Sequence, residues 1–172
     1  MWSFEHTAGG AEDAMEASAA VERGFESVTG YLACDHDRLD EALRSVSSAV
    51  AGGRFAEAVA GYERFESGLL CHLRVEEELV FPVFEARSGM MNGPTDAMRN
   101  EHRQVRMALA LMRRGLLQSD AIAYGDGLRF FESVLPDHHA KEEHILYPAL
   151  DSLLRPWERS ALVARLQRES AR

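Results

Sequence analysis

His72-Leu73-Arg74-Val75-Glu76-Glu77-Glu78-Leu79-Val80-Phe81-Pro82 returns 66 residues later as His138-His139-Ala140-Lys141-Glu142-Glu143-His144-Ile145-Leu146-Tyr147-Pro148. The register extends outward from both copies without a gap. Phe65-Glu66-Ser67 falls on Phe131-Glu132-Ser133, Leu69 on Leu135, and, going backwards, His36 on His102, Ala42 on Ala108 and Leu43 on Leu109. The chain therefore reads as two related helical hairpins. Each has one histidine on its first helix and, 36 residues on, a second that opens H-x-x-x-E-E-x-x-x-[FY]-P.

The apolar spacing supports helices throughout. Val28, Leu32, Leu39, Leu43, Val46 and Val50 form one stripe, ended by Gly52 and Gly53. A second helix runs from Phe55 past Phe84, with Pro82 expected to bend its last turns. A third carries Met98, Val105, Leu109 and Met112, with Thr95 as the expected cap. A fourth reaches about Leu150, with a break expected at Pro136, and Pro156 suits the start of a short fifth. No segment alternates like a strand, so the class is all-α. The pattern predicts an antiparallel up-and-down four-helix bundle. Residues 1–24 read as an N-terminal arm, and residues 25–172 as the bundle with its short C-terminal helix.

On a helix, positions four apart differ by only about 40°, so His72 and Glu76 share a face, as do His138 and Glu142. Glu77 and Glu143 are rotated by roughly 140° and should point to another helix or to water. His36 and His102 continue apolar stripes and should aim inward. Four imidazoles and two carboxylates then converge, and burying them without an ion would cost several kcal/mol per unpaired charge. A metal site is the expected outcome. Six nitrogen and oxygen donors exceed one tetrahedral zinc, no thiolates stand at ligand spacing, and H-E-x-x-H is absent. Two bridging carboxylates suit a pair of ions, with non-haem iron the best match and manganese or zinc as substitutes. The E-x-x-H of ferritin-type bundles is also missing.

With Asp35-His36-Asp37, His72 to Glu77 running on to Phe81-Pro82, Glu101-His102, and His138 to Glu143 running on to Tyr147-Pro148, the sequence resembles the hemerythrin-like (HHE cation-binding) family over about residues 28–150. The resemblance implies a four-helix bundle around a non-haem di-iron centre, with an oxo or hydroxo bridge. Its ligands would be His36, His72, Glu76, His102, His138 and Glu142, the two glutamates bridging. Arg106 stands where the oxygen carriers have a fifth histidine, so the pattern is similar to the four-histidine, two-glutamate members, among them iron-sulfur repair proteins and an iron-sensing domain. An iron with fewer protein ligands should keep an open position for oxygen, nitric oxide or peroxide. The expected function is binding or sensing oxygen, nitric oxide or iron. The alternative is an oxidoreductase acting on peroxide or nitric oxide, or an iron-sulfur repair protein. Whether the chain is an enzyme is not fixed by fold and ligand set.

The remaining features narrow the partners. At 172 residues, with 46% hydrophobic and 27% charged, the chain can bury a core unaided. Its formal charge of −9 disfavours nucleic acid and anionic membranes. The longest apolar runs, such as Ala108 to Met112, are far short of a membrane span, and an acidic start lacks a secretory signal. Two cysteines outside any C-x-x-C pair point to a reducing compartment, so the cytoplasm is expected. His139 and His144 read as exposed, and His6 in the arm as no ligand. Asp35, Glu101 and Asp137 read as solvated charge, because neighbours on one helix do not face each other. The alternative for these three is accepting the second N–H of a ligand histidine on another helix. Cys34 and Cys71 read as buried thiols, and Tyr31, Tyr62 and Tyr147 as packing.

Overall fold

The computed structural model describes residues 24–91 and 93–171, and every regular element among them is helical. The proposed arm, with His6, lies outside those residues apart from Gly24. In chain order the elements are α1 (Val28–Ala51), α2 (Phe55–Val75), a π turn (Glu76–Val80), α3 (Phe81–Ser88), α4 (Pro94–Leu117), α5 (Ala121–Glu132), α6 (Leu135–Lys141), a second π turn (Glu142–Leu146), α7 (Tyr147–Leu153) and α8 (Pro156–Ser170). None is long and apolar enough to cross a membrane.

Local chemistry sets most of the boundaries. The Ser27 hydroxyl caps α1 by accepting from Gly30 N–H, and Asp120 caps α5 by accepting from Ile122 and Ala123. Pro156 opens α8, and Gly89, at φ 74, ends α3 in the left-handed region. Thr95 caps nothing, contrary to expectation. It lies inside α4, buried, and its hydroxyl donates to Glu85 Oε1 at 2.6 Å. Pro136 does accompany a break, between Glu132 and Leu135. Pro82 and Pro148, which have no N–H to give, each follow a π turn in which Phe81 N–H and Tyr147 N–H reach five residues back to Glu76 and Glu142.

α1 packs along α2, α2 against α4, α4 against α5 and α6, and α7 back against α1, while α8 lies on α1 and α2. Closing that ring, the Asp151 carboxylate accepts from Val28 N–H, Thr29 N–H and the Thr29 hydroxyl, supplying an anion at the first turn of α1 from 122 residues away. The core has two apolar parts. One holds Leu39, Leu69, Leu73, Val105 and Leu135, and the other Leu32, Val75, Leu79, Met98 and Leu146. Leu32 and Leu39 flank His36 on α1, and Met98 and Val105 flank His102 on α4. The polar layer is therefore pressed between apolar layers that keep water out.

Candidate metal centre

The structure brings together all six side chains singled out in the sequence. His36, His72, Glu76, His102, His138 and Glu142 are each at most 2% exposed. Their inner atoms form two overlapping groups able to hold a metal ion, Glu76-His102-His138-Glu142 and His36-His72-Glu142, which share Glu142. His72 Nε2 and His102 Nε2 each lie 3.4 Å from Glu76 Oε2. His138 Nε2 lies 3.2 Å from Glu142 Oε1, and His36 Nε2 lies 3.6 Å from Glu142 Oε2 and 3.0 Å from His72 Nε2.

Five of these inner atoms, Glu76 Oε2, His102 Nε2, His138 Nε2 and both Glu142 oxygens, are buried without a hydrogen-bond partner. Orphaned buried polar groups cost about 1–3 kcal/mol each, and more when charged. A cation placed among them would satisfy them all, so the donor set fits a metal.

Behind each imidazole stands a carboxylate from another helix. Nδ1 of His72 faces Asp35 at 2.9 Å, that of His102 faces Glu77 at 2.8 Å, that of His138 faces Glu101 at 3.0 Å, and that of His36 faces Glu143 at 2.6 Å. These contacts run round the helices in one direction, each rod's acid serving the next rod's histidine, and they obey the 66-residue repeat. A carboxylate at Nδ1 keeps the proton there and turns the Nε2 lone pair inward, as metal-binding histidines require. This corrects the reading of Asp35 and Glu101 as solvated charge, and only Asp137 remains exposed. Glu77 and Glu143 do point to another helix, as their rotation predicted, and what the arithmetic did not say is that each meets a ligand histidine there. The available signal was positional: an acid directly precedes each first-helix histidine and directly follows each i+4 glutamate, in both repeats.

Three further residues depart from the sequence reading. His139 is not exposed: it is half-buried and stacks on His36 with ring centroids 3.7 Å apart, and burial followed by the charge of His36 holds its pKa down to about 2. Tyr147 is more than packing, since its buried hydroxyl donates to Glu76 Oε1. Burial, then the charges of Glu76 and Glu142, raise this phenol well above its usual pKa and keep it a donor. Arg106 points to Glu77, donating from Nη1 at 2.9 Å and Nη2 at 3.1 Å. His144 is exposed as expected, Tyr62 donates to Leu109 O at 2.6 Å, and both cysteines are free and half-buried.

Without a metal, protons take part of its place. Burial opposes charge on every group, but the neighbouring carboxylates prevail at two of the four histidines. His72 rises to about 9 beside Glu76 and Asp35, and His102 rises to about 10 beside Glu142, Glu76 and Glu77. His36, desolvated and facing His72, falls to about 3, and His138 is lowered by burial. Burial would push Glu76 up, yet His72 and His102 hold it well below the usual carboxylate range. Glu142 is pushed up to about 8 by burial and by the charge of Glu76.

The family model of the hemerythrin HHE cation binding domain matches residues 27–150, most of the chain. Comparison with curated proteins and with solved structures gives no significant match. The chain belongs to the hemerythrin HHE cation-binding family.

Proposed function

We propose that the chain is an antiparallel up-and-down four-helix bundle that holds two iron ions and uses them to bind or sense oxygen, nitric oxide or iron itself. The bundle is supported by the ring of packing contacts and by connections as short as Gly52–Arg54. One ion would be held by His36 and His72, the other by His102 and His138, with Glu76 and Glu142 between them. The observation that carries this reading is the set of five orphaned inner atoms facing one another while all four Nδ1 atoms rest on carboxylates.

A bound iron pair supplies redox-active coordination to which a small diatomic ligand or peroxide attaches. The chain's own residues do the rest. Asp35, Glu77, Glu101 and Glu143 fix the tautomer and aim of the imidazoles. The apolar residues above and below exclude water, which strengthens every charge interaction inside. Arg106, where a further imidazole would stand, engages Glu77 instead, so an ion beside His102 would draw two histidines from the chain. The acidic surface is unsuited to nucleic acid, and the two free thiols fit the cytoplasm as the proposed location.

Elemental analysis of protein made in iron-containing medium should give two irons per chain. The iron(II) form should gain a stable absorption band on exposure to oxygen or nitric oxide, lost in His138→Ala. Less than one metal per chain, or a metal content indifferent to His72→Ala and His138→Ala together, overturns the reading. Many equivalents of peroxide or nitric oxide consumed per site would make the chain an oxidoreductase instead.

A further inference from the structure

The two central glutamates are presented differently. Glu142 has both oxygens orphaned, with Oε1 3.2 Å from His138 Nε2 and Oε2 3.6 Å from His36 Nε2, one oxygen to each group. Glu76 has only Oε2 orphaned, and that atom lies 3.4 Å from both His72 Nε2 and His102 Nε2, between the groups. Its Oε1 is taken by the Tyr147 hydroxyl. The repeat accounts for the difference. The counterpart of Tyr147 is Phe81, whose ring stacks on His102 at 5.5 Å and has no hydroxyl with which to engage Glu142.

We infer that Tyr147 is a positioning residue that makes Glu76 a one-oxygen ligand, reserving Oε1 and leaving Oε2 alone to the ions, while Glu142 gives one oxygen to each. The inference rests on the two-ion reading and refines it. Both partners of the hydrogen bond are fully buried, so releasing Oε1 would cost the phenol the acceptor it now has. An ion that took Oε1 would compete with this hydrogen bond for the oxygen's lone pairs. Tyr147 thus sets the two carboxylates apart although the backbone that carries them is duplicated.

The test compares wild type with Tyr147→Phe, both loaded anaerobically with iron(II). The variant installs the side chain that the other repeat already carries. In crystals of the wild type, Glu76 should meet iron through Oε2 alone, with the Tyr147 hydroxyl still on Oε1. In Tyr147→Phe, Oε1 should turn onto iron. In solution, metal-induced infrared difference spectra should show one carboxylate whose antisymmetric and symmetric stretches move closer together in the variant. Glu76 bound through both oxygens in wild type, the Tyr147 oxygen on iron, or an unchanged Glu76 in the variant overturns the inference. If the variant does not fold, the wild-type crystal decides alone. The ion count is read separately: one ion bound with Glu76 through Oε2 supports the role of Tyr147 and overturns the two-ion reading, and no bound ion overturns both.

Discussion

The two halves of the centre share a backbone plan and differ in almost everything that touches it. At repeat-equivalent positions one half has Tyr147 where the other has Phe81, His139 where the other has Leu73, and Asp40 where the other has Arg106. The His102 half has its outer carboxylate, Glu77, clamped by the Arg106 guanidinium. The His36 half has Glu143 with Asp40 nearby, and Asp40 is raised by burial and by Asp37 and Glu143. Even equivalent histidines diverge: burial, then the charge of His72, brings His36 down to about 3, while Glu142, Glu76 and Glu77 raise His102 to about 10. Duplication supplied the donors, and the changes around them made the two positions unequal.

The sharpest way to break this comparison is to remove the carboxylate common to both groups. Glu142→Ala should empty both positions, with affinity falling by more than the ~10–100-fold typical of partners behind the ligands. Glu76→Ala should retain metal at His36-His72-Glu142. Metal content per chain, measured with helicity by circular dichroism, separates the two outcomes; equal losses would mean that the halves are not independent.

The next contrast is in packing. Gly61 and Gly127 are repeat equivalents, yet a Cβ at Gly127 would come 2.7 Å from Met112 N, while one at Gly61 would meet only Val46 Cγ2, at 3.3 Å. Gly127→Ala should therefore cost about 1–3 kcal/mol through overpacking. At Gly61→Ala a slight clash is offset by a helix-propensity gain of ~1 kcal/mol. Urea unfolding of the two variants checks this, and similar midpoints would refute it.

A smaller effect is expected from the outer charges. Arg106→Ala leaves Glu77 without its guanidinium and should weaken metal binding about 10-fold, whereas Asp40→Ala should leave it unchanged or slightly tighter. Competition against a chelator measures both.

The last is a pH effect on the metal-free chain. His72 and His102 lie above the ordinary histidine value of about 6.5, at about 9 and 10. Their stabilising contribution is full below that ordinary value and is lost as pH rises through 9 to 10. Glu142, at about 8, is raised, so its protonated form is favoured by folding and its cost grows as pH climbs from the ordinary carboxylate range to 8. His36, at about 3, works on the other side, costing stability as pH falls from about 6.5 toward 3. The melting temperature should peak near neutral pH and fall toward pH 10, and metal loading should flatten the alkaline limb. A metal-free chain whose melting temperature rose toward pH 10 would contradict these shifts.

The helices and the six inner residues were legible because both depend on local periodicity: His72 and Glu76 share a face by helical arithmetic, and the 66-residue shift shows the arrangement twice. What escaped reading lies across helices. Asp35 and Glu101 serve histidines 37 residues on, Tyr147 reaches Glu76, and His139 stacks on His36, and none of these follows from spacing on one helix. The π turns escaped for another reason: Pro82 and Pro148 announce that a helix must adjust, but not that it widens by one residue.

The Asp151 clasp on Val28 and Thr29 has a topological consequence. It brings the beginning of the first helix to the end of the last one that lines the centre, and the acid-to-imidazole relay passes through that seam, from Glu143 to His36, as it passes everywhere else. A closed ring of four such handovers has no first member. A permuted chain opened in the connection between α3 and α4, with Leu153 joined to Val28, would present the same six donors in the same order around the circle.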